Sequence, residues 1–345
     1  MAHSSVFLAF VLGLLFGVMA AYITSKNLKT SKGNKVEHLY LLGGSNLDEY
    51  AEIPESETAM KSFPEQVLSS LNFSADMRDL HHRQKNNTSK MTKVLCWVLT
   101  SPNNLKVRGR PIKETWGKRC DVLLFMSTKD DENFPAVGLN VLEGQSAWHK
   151  TRAAWQYVID NHINDADWFI KTDDETYVVI ENLKHLCSKH EYDKSHYFGR
   201  HFLPFGGYND GGAGYVFSKE TLIRFGKLLK DSKHCPLHSK AEDVEVGRCL
   251  RKVGVVPGDT RDERKRETFH PFSPEQQLIT GLIKKDNWLW AYSNNRVTIG
   301  PGCCSDHSVT FHHITPNMMY LMEYFVYHLR PYGITLADQY GRGHN

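Results

Sequence analysis

Apolar and polar positions divide this chain of 345 residues into three regimes. Val6 to Ile23 is an unbroken apolar run without a charged residue, close to the ~20 residues a membrane-spanning helix needs. From 24 to about 90 no apolar period is sustained, and Ser, Asn, Lys and Glu dominate, so this stretch cannot bury much of itself. Beyond Lys93, short apolar runs alternate with amphipathic stretches. Strands are predicted at Lys93–Thr100, Asp121–Ser127, Asp167–Lys171, His196–Phe198 and Tyr215–Ser218. Helices are predicted near Arg110–Lys118, Ala147–Asn161, Val179–Ser188, Lys219–Lys230 and Glu242–Val253. In the second of these, Trp148, Ala154, Trp155 and Val158 share one face. Interleaved strands and helices imply an α/β domain with a mostly parallel sheet. No internal repeat is evident.

The amino-terminal run has two readings. Val18 and Ala20 give the small-residue spacing of a signal peptide cleaved after Ala20. The run is longer than the ~7–15 residues of a signal core, which favours a retained anchor. Lys26, Lys29, Lys32 and Lys35 follow it, and taken alone they would put the carboxyl side in the cytoplasm. The expected divisions fall at 1–5, 6–23, 24–90, 91–335 and 336–345, with 6–23 the candidate signal anchor and 24–90 a stem-like stretch; on these residues alone the orientation across a membrane stays open. Sequons at Asn72, Asn86 and Asn87 lie in the stem. A net charge of +3 gives no reason to expect nucleic acid as a partner.

All seven cysteines lie beyond residue 90, and none forms a Cys-x-x-Cys pair, which argues against a zinc ribbon. Proximity in sequence suggests Cys96 with Cys120 and Cys235 with Cys249. Cys303 and Cys304 are adjacent, at the short limit for a bridge, and Cys187 is the candidate odd thiol.

The most informative chemistry lies at Asp173-Asp174-Glu175, presented by the apolar run Trp168–Ile170. Clustered carboxylates repel unless a cation sits among them. Hard divalent ions take such ligands and share them with phosphates, so the turn reads as a metal-diphosphate site at the carboxyl end of a strand. A solvated acidic turn is the plain alternative. Four other segments carry candidate roles. Arg110, Lys113 and Trp116 follow the first strand. Gly211-Gly212-Ala213-Gly214-Tyr215 allows close backbone approach. Glu242-Asp243 opens a helix, where an N-cap is the ordinary reading. His312-His313 ends an apolar strand, and imidazole is a frequent metal ligand.

In this order and spacing the segments resemble a family. Residues from about Lys93 to Ile334 are similar to the core 1 β1,3-galactosyltransferases, within the fringe-like inverting glycosyltransferases. The resemblance is carried by Leu95-Cys96-Trp97-Val98, Lys113-x-Thr115-Trp116, Trp168–Lys171, Asp173–Val178, Tyr197-Phe198-Gly199 and Gly211–Val216. Further on it is carried by Glu242–Cys249, His270-Pro271-Phe272, Gly300–Asp306 and Tyr327–Gly333. It implies a GT-A fold, a single Rossmann-like lumenal catalytic domain at 91–335, behind a cytoplasmic tail at 1–5, a Golgi type II signal anchor at 6–23 and a stem at 24–90, with a disordered tail at 336–345. It also implies transfer of galactose from UDP-galactose to O3 of GalNAcα-Ser/Thr, with Mn²⁺ as cofactor. Self-association as a homodimer and a dedicated chaperone come with the family. By the same resemblance Asp243 is the general base. Arg110, Lys113, Trp116, Trp148, Lys150, Asp173 and Asp174 face the nucleotide. Asp174, Glu175 and His312 bind the metal. Gly212, Tyr215, Glu242, Trp288, Trp290 and Tyr292 meet the acceptor, since rings suit a sugar's C–H face.

The chain departs from the family at three places. Glu175 stands where Asp is usual, moving a ligand oxygen by over an ångström. The segment Phe202–Asp210 is shortened and altered, and Gln276-Gln277 replaces histidines. Two other functions stay open: a catalytically silent, chaperone-like homologue, and a fringe-like β1,3-transferase with another donor and acceptor. Retention of Asp173, Asp174, Asp243 and His312 opposes the first.

Overall fold

The computed structural model describes residues 92–332, apart from 132–133 and 142–143. The anchor, stem and tail expected at 1–5, 6–23, 24–90 and 336–345, with the three sequons, lie outside the described residues. Among the described residues no helix is long and apolar enough to cross a membrane.

The strands are β1 (Val94–Leu99), β2 (Val122–Ser127), β3 (Ala136–Gly138), β4 (Trp168–Asp173), β5 (Tyr177–Val178), β6 (Tyr197–Gly199), β7 (His201–Phe202), β8 (Tyr208–Asn209), β9 (Tyr215–Ser218), β10 (Phe269–His270) and β11 (Thr310–Phe311). The helices are α1 (Arg110–Glu114), α2 (Ala147–His162), α3 (Ile180–Ser188), α4 (Lys219–Leu229), α5 (Glu242–Arg251), α6 (Pro274–Leu278), α7 (Trp288–Tyr292) and α8 (Pro316–Glu323).

Six strands form the main sheet in the order β3-β2-β1-β4-β9-β6. The first four pair in parallel; β9 runs against both β4 and β6. The sheet is therefore mixed, with β9 alone reversed among its described strands. Alternation along β1 explains why it is buried on both sides. Val94, Cys96 and Val98 pack with Ile112, Trp116 and Leu183 on one face; Leu95 and Trp97 pack with Trp148, Trp155 and Phe225 on the other.

The helix expected over Arg110–Lys118 is interrupted. The chain makes a π turn at Leu105–Gly109, then α1, then a 3₁₀ turn at Trp116–Arg119. Thr115 leaves helical geometry at the break, and its hydroxyl donates to the Pro111 carbonyl at 2.6 Å, a local bond that competes with helix continuation.

A second sheet, β10-β11-β5, was not legible as strands, apart from the apolar run that ends at the histidines. β11 pairs antiparallel with β5, Thr310 opposite Val178 and Phe311 opposite Tyr177. Cys96–Cys120, Cys235–Cys249 and the adjacent pair Cys303–Cys304 are bridged, and Cys187 is a buried free thiol.

Candidate active site

Strand β4 delivers Asp173 into a tight turn closed by Thr176 N–H to the Asp173 carbonyl, 3.1 Å, and β5 begins at once. The three acids point to three different partners. Asp173 accepts from Lys171 Nζ at 2.6 Å. Asp174 accepts from Thr100 Oγ1 at 2.7 Å and Asn104 Nδ2 at 2.9 Å. Glu175 is paired with Arg108 and lies 3.6 Å from His313 Nδ1. Because β5 pairs with β11, the turn before β5 meets the histidines after β11, and the Ile314 N–H donates to the Glu175 carbonyl at 2.9 Å.

Glu175, His312 and His313 each offer a ligand atom, all within 4.8 Å of one another. Two imidazoles and one carboxylate suit a divalent transition ion, so the donor set fits a metal. Loss of water, then the neighbouring His313, lowers His312 to about 4, which keeps its ring neutral and able to ligate. Hydrogen bonding with His313, then the charges of Arg108 and His312, outweigh burial and hold Glu175 down to about 2. His313 adopts left-handed backbone (φ 58°), uncommon for a residue with a side chain and a recurrent feature of functional sites. Asp174, expected among the ligands, is outside this trio and is held by Thr100 and Asn104, while His313 joins it.

On the other side of the glycine segment, Asp243 lies in the first turn of α5. Its Oδ2 accepts from Gly211 N–H at 3.1 Å and its Oδ1 from Val244 N–H at 2.8 Å. Burial, then the charges of Glu242 and Asp210, raise it to about 7, the range that suits a general base. Asp210 is raised to about 6, first by burial, although Ala213 N–H donates to it at 2.7 Å. Lys171 is fully buried beneath these acids, 2.6 Å from Asp173 and 3.6 Å from Glu242. Burial alone would lower it; Asp173 and Glu242 win and keep it protonated well above the usual lysine range.

The glycine segment separates the two groups. A Cβ on Gly211 would come 2.7 Å from Glu242 Oε2, and one on Gly212 2.5 Å from the His312 ring. Gly212, expected to meet the acceptor, instead packs against His312.

Several other expected contacts are corrected. Trp116 and Trp148 are fully buried on opposite faces of the main sheet and have no surface to offer a nucleotide. The Trp148 indole donates to the Pro236 carbonyl at 2.8 Å. Tyr215 is also fully buried, and its hydroxyl donates to Glu242 Oε1 at 2.7 Å, so both support the floor of the site rather than an acceptor. On α1, Arg110 pairs with Glu114 and Lys113 lies over the Phe134 ring. Lys150 lies in the first turn of α2, two positions past Trp148.

The aromatic wall is partly assembled. Trp288 stacks on Phe272 at 5.7 Å and meets Phe202 edge-on at 5.2 Å, with Tyr292 at 5.9 Å. Phe272 in turn lies 5.9 Å from the His313 ring, joining the wall to the metal trio. Trp290 is exposed and its indole donates to the Lys284 carbonyl at 2.8 Å. Thr100, Asn104, Arg108, Lys171, Asp210 and Phe272 were not singled out from sequence as site residues, and His313, noted beside His312, was not assigned to the metal.

The Fringe-like family model matches residues 89–270. Over 249 residues the chain is 45% identical to glycoprotein-N-acetylgalactosamine 3-beta-galactosyltransferase 1 of Xenopus laevis, covering 71% of this chain and 69% of that protein. The chain belongs to the Fringe-like family. The resemblance read from its motifs is thereby borne out. A beta-1,3-glucosyltransferase of Mus musculus is 28% identical over 150 residues, 42% of this chain and 30% of its own length. Among solved structures, galactosyltransferase LgtC with donor and acceptor sugar analogs aligns over 69% of this chain and 97% of its own. Its TM-score is 0.38 at 10% identity.

Proposed function

We propose that this Fringe-like protein transfers galactose from UDP-galactose, with inversion, to O3 of GalNAc α-linked to Ser or Thr, making the core 1 O-glycan. The observation that carries this reading is the 45% identity, over 71% of the chain, to a relative bearing that name. The geometry supports it from the chain's own side. Asp243 accepts the proton of the attacking hydroxyl as that oxygen bonds to the anomeric carbon and the bond to UDP breaks, the electron pair leaving with UDP. Gly211 N–H fixes one carboxylate oxygen and Val244 N–H the other, so the base is oriented before substrate arrives. General-base assistance of this kind is worth ~10²–10⁴-fold. Lys171 anchors both Asp173 and Glu242, offsetting the repulsion between these two acids beside Asp243. The cation held by Glu175, His312 and His313, Mn²⁺ in this reading, would neutralise charge on the diphosphate. Trp288 and Tyr292 supply the acceptor wall. The run 6–23 anchors the chain in the Golgi membrane, type II, and a homodimer and a chaperone partner follow from the family resemblance.

The test is transfer from UDP-galactose to a GalNAcα-threonine peptide by the purified protein, with Mn²⁺ or with chelator, beside Asp243→Asn. Product that depends on both metal and Asp243 supports the reading. UDP binding without galactose transfer would point to another sugar pair, and an equally active Asp243→Asn would remove the base.

A further inference from the structure

Arg108 occupies the ground that a divalent ion would claim. It stands on the π turn Leu105–Gly109, directly behind the end of β1. Within that turn the Asn104 carbonyl accepts from Arg108 N–H at 2.7 Å and Gly109 N–H at 3.1 Å. The segment thus offers two side chains to the acidic turn: Asn104 to Asp174 at 2.9 Å, and Arg108 to Glu175. The guanidinium also lies 4.0 Å from Asp174 Oδ1. Isolated π turns are frequent at functional sites.

Three properties define what this residue can do. Glu175 is shared: the carboxylate that pairs with Arg108 is also the only carboxylate of the Glu175–His312–His313 trio. A guanidinium does not deprotonate, so it cannot escape an arriving cation by losing its charge; it has to move. The Arg108 side chain is 32% exposed and Glu175 33%, so the pair lies at the open side of the site and the arginine has room to swing. Once displaced, its nearest remaining anion is Asp174, already accepting from Thr100 and Asn104. An incoming diphosphate is a better partner, because the planar fork matches phosphate oxygens two at a time.

We propose that Arg108 is a place-holding cation that neutralises Glu175 until metal binds and then turns to the donor's diphosphate, making metal and nucleotide binding cooperative. This rests on the metal-nucleotide reading of the site given above. It assigns Arg108 opposite effects on the two ligands: it opposes the metal alone and favours the nucleotide. A residue that merely supports the turn would weaken both.

The test is calorimetric titration of the purified full chain with Mn²⁺ alone, and with UDP at saturating Mn²⁺, for wild type, Arg108→Met and Arg108→Lys. Arg108→Met should bind Mn²⁺ alone roughly three- to tenfold more tightly, the competing ion pair being gone. It should bind UDP about 10- to 100-fold more weakly, having lost a charge-assisted bidentate contact. Arg108→Lys keeps a competing charge without the fork, so Mn²⁺ affinity should stay near wild type while UDP affinity still falls. Both ligands weakening together in Arg108→Met, or neither changing, would overturn the proposal while leaving the metal-nucleotide reading intact. Wild type binding neither Mn²⁺ nor UDP would overturn that reading itself, and this one with it.

Discussion

Replacing Asp243 with Asn should remove activity and, at neutral to alkaline pH, make the protein more stable. The carboxyl's rise from its ordinary 3.8 to about 7 means the folded state resists its ionisation. Below about pH 4 the group is protonated in both states and costs nothing. As pH climbs towards 7 the unfolded chain ionises it while the fold retains the proton, so stability drains away and the loss levels off above about 7. At roughly 1.36 kcal/mol per pH unit the full deficit is at most about 4 kcal/mol. Asp243 is half-buried, so screening leaves about 2 kcal/mol, or about 4–8 °C in melting temperature for a domain of this size. Asn does not titrate, so its advantage over wild type should grow between pH 4 and 8. The amide must also turn an N–H toward Gly211 or Val244, which now donate to the two carboxylate oxygens. That costs about 1 kcal/mol at every pH, so the trend rather than the level is diagnostic. The assay is a series of thermal melts of both proteins across that range, paired with transfer rates. The wild-type rate should rise to a plateau above about pH 7, and the variant should lose ~10²–10⁴-fold. A melting difference that stays flat with pH would show that this carboxyl is not held near neutrality, and the case for it as base would fail.

Gly212→Ala should drive a methyl into the His312 ring, now 2.5 Å from where that carbon would sit, and weaken Mn²⁺ affinity about 10–100-fold by calorimetry with little change in melting. Trp148→Phe should lower stability by about 1–3 kcal/mol through lost packing and the lost bond to Pro236, while UDP affinity in the folded protein stays unchanged. Weaker UDP binding at an unchanged melting temperature would return Trp148 to the donor site. Burial pushes the Cys187 thiol well up, so the native chain should show no thiol reactive to Ellman's reagent, and one per chain after unfolding without reductant.

The long strands were legible because strands covered on both faces read as unbroken apolar runs, and β1 and β4 emerged where those runs placed them. The two-residue strands β5, β10 and β11 are too short to show any period, yet they bring Glu175 to histidines far along the chain. Hence both imidazoles were visible in one segment, but the resemblance assigned only His312 to the metal and left His313 out. Trp148 was placed on an apolar helix face with Ala154, Trp155 and Val158, and that face is indeed the buried one; the donor role assigned to it conflicted with that pattern. Tyr215 fell to the same cause, an aromatic residue in a strand covered on both sides. Arg108 and Asp210 had only weak signals, a basic residue after the first strand and an acid just before the glycines.

The bare stretch at Gly211-Gly212 leaves only main chain between the Glu242-Asp243 acids and the imidazoles, with no side-chain volume to spare toward Glu242 or His312. Substitutions that retune sugar preference are therefore barred from this partition. On the proposed reading they are expected at its margins, on the β7–β8 hairpin and on α7, where Leu203 and Trp290 are exposed.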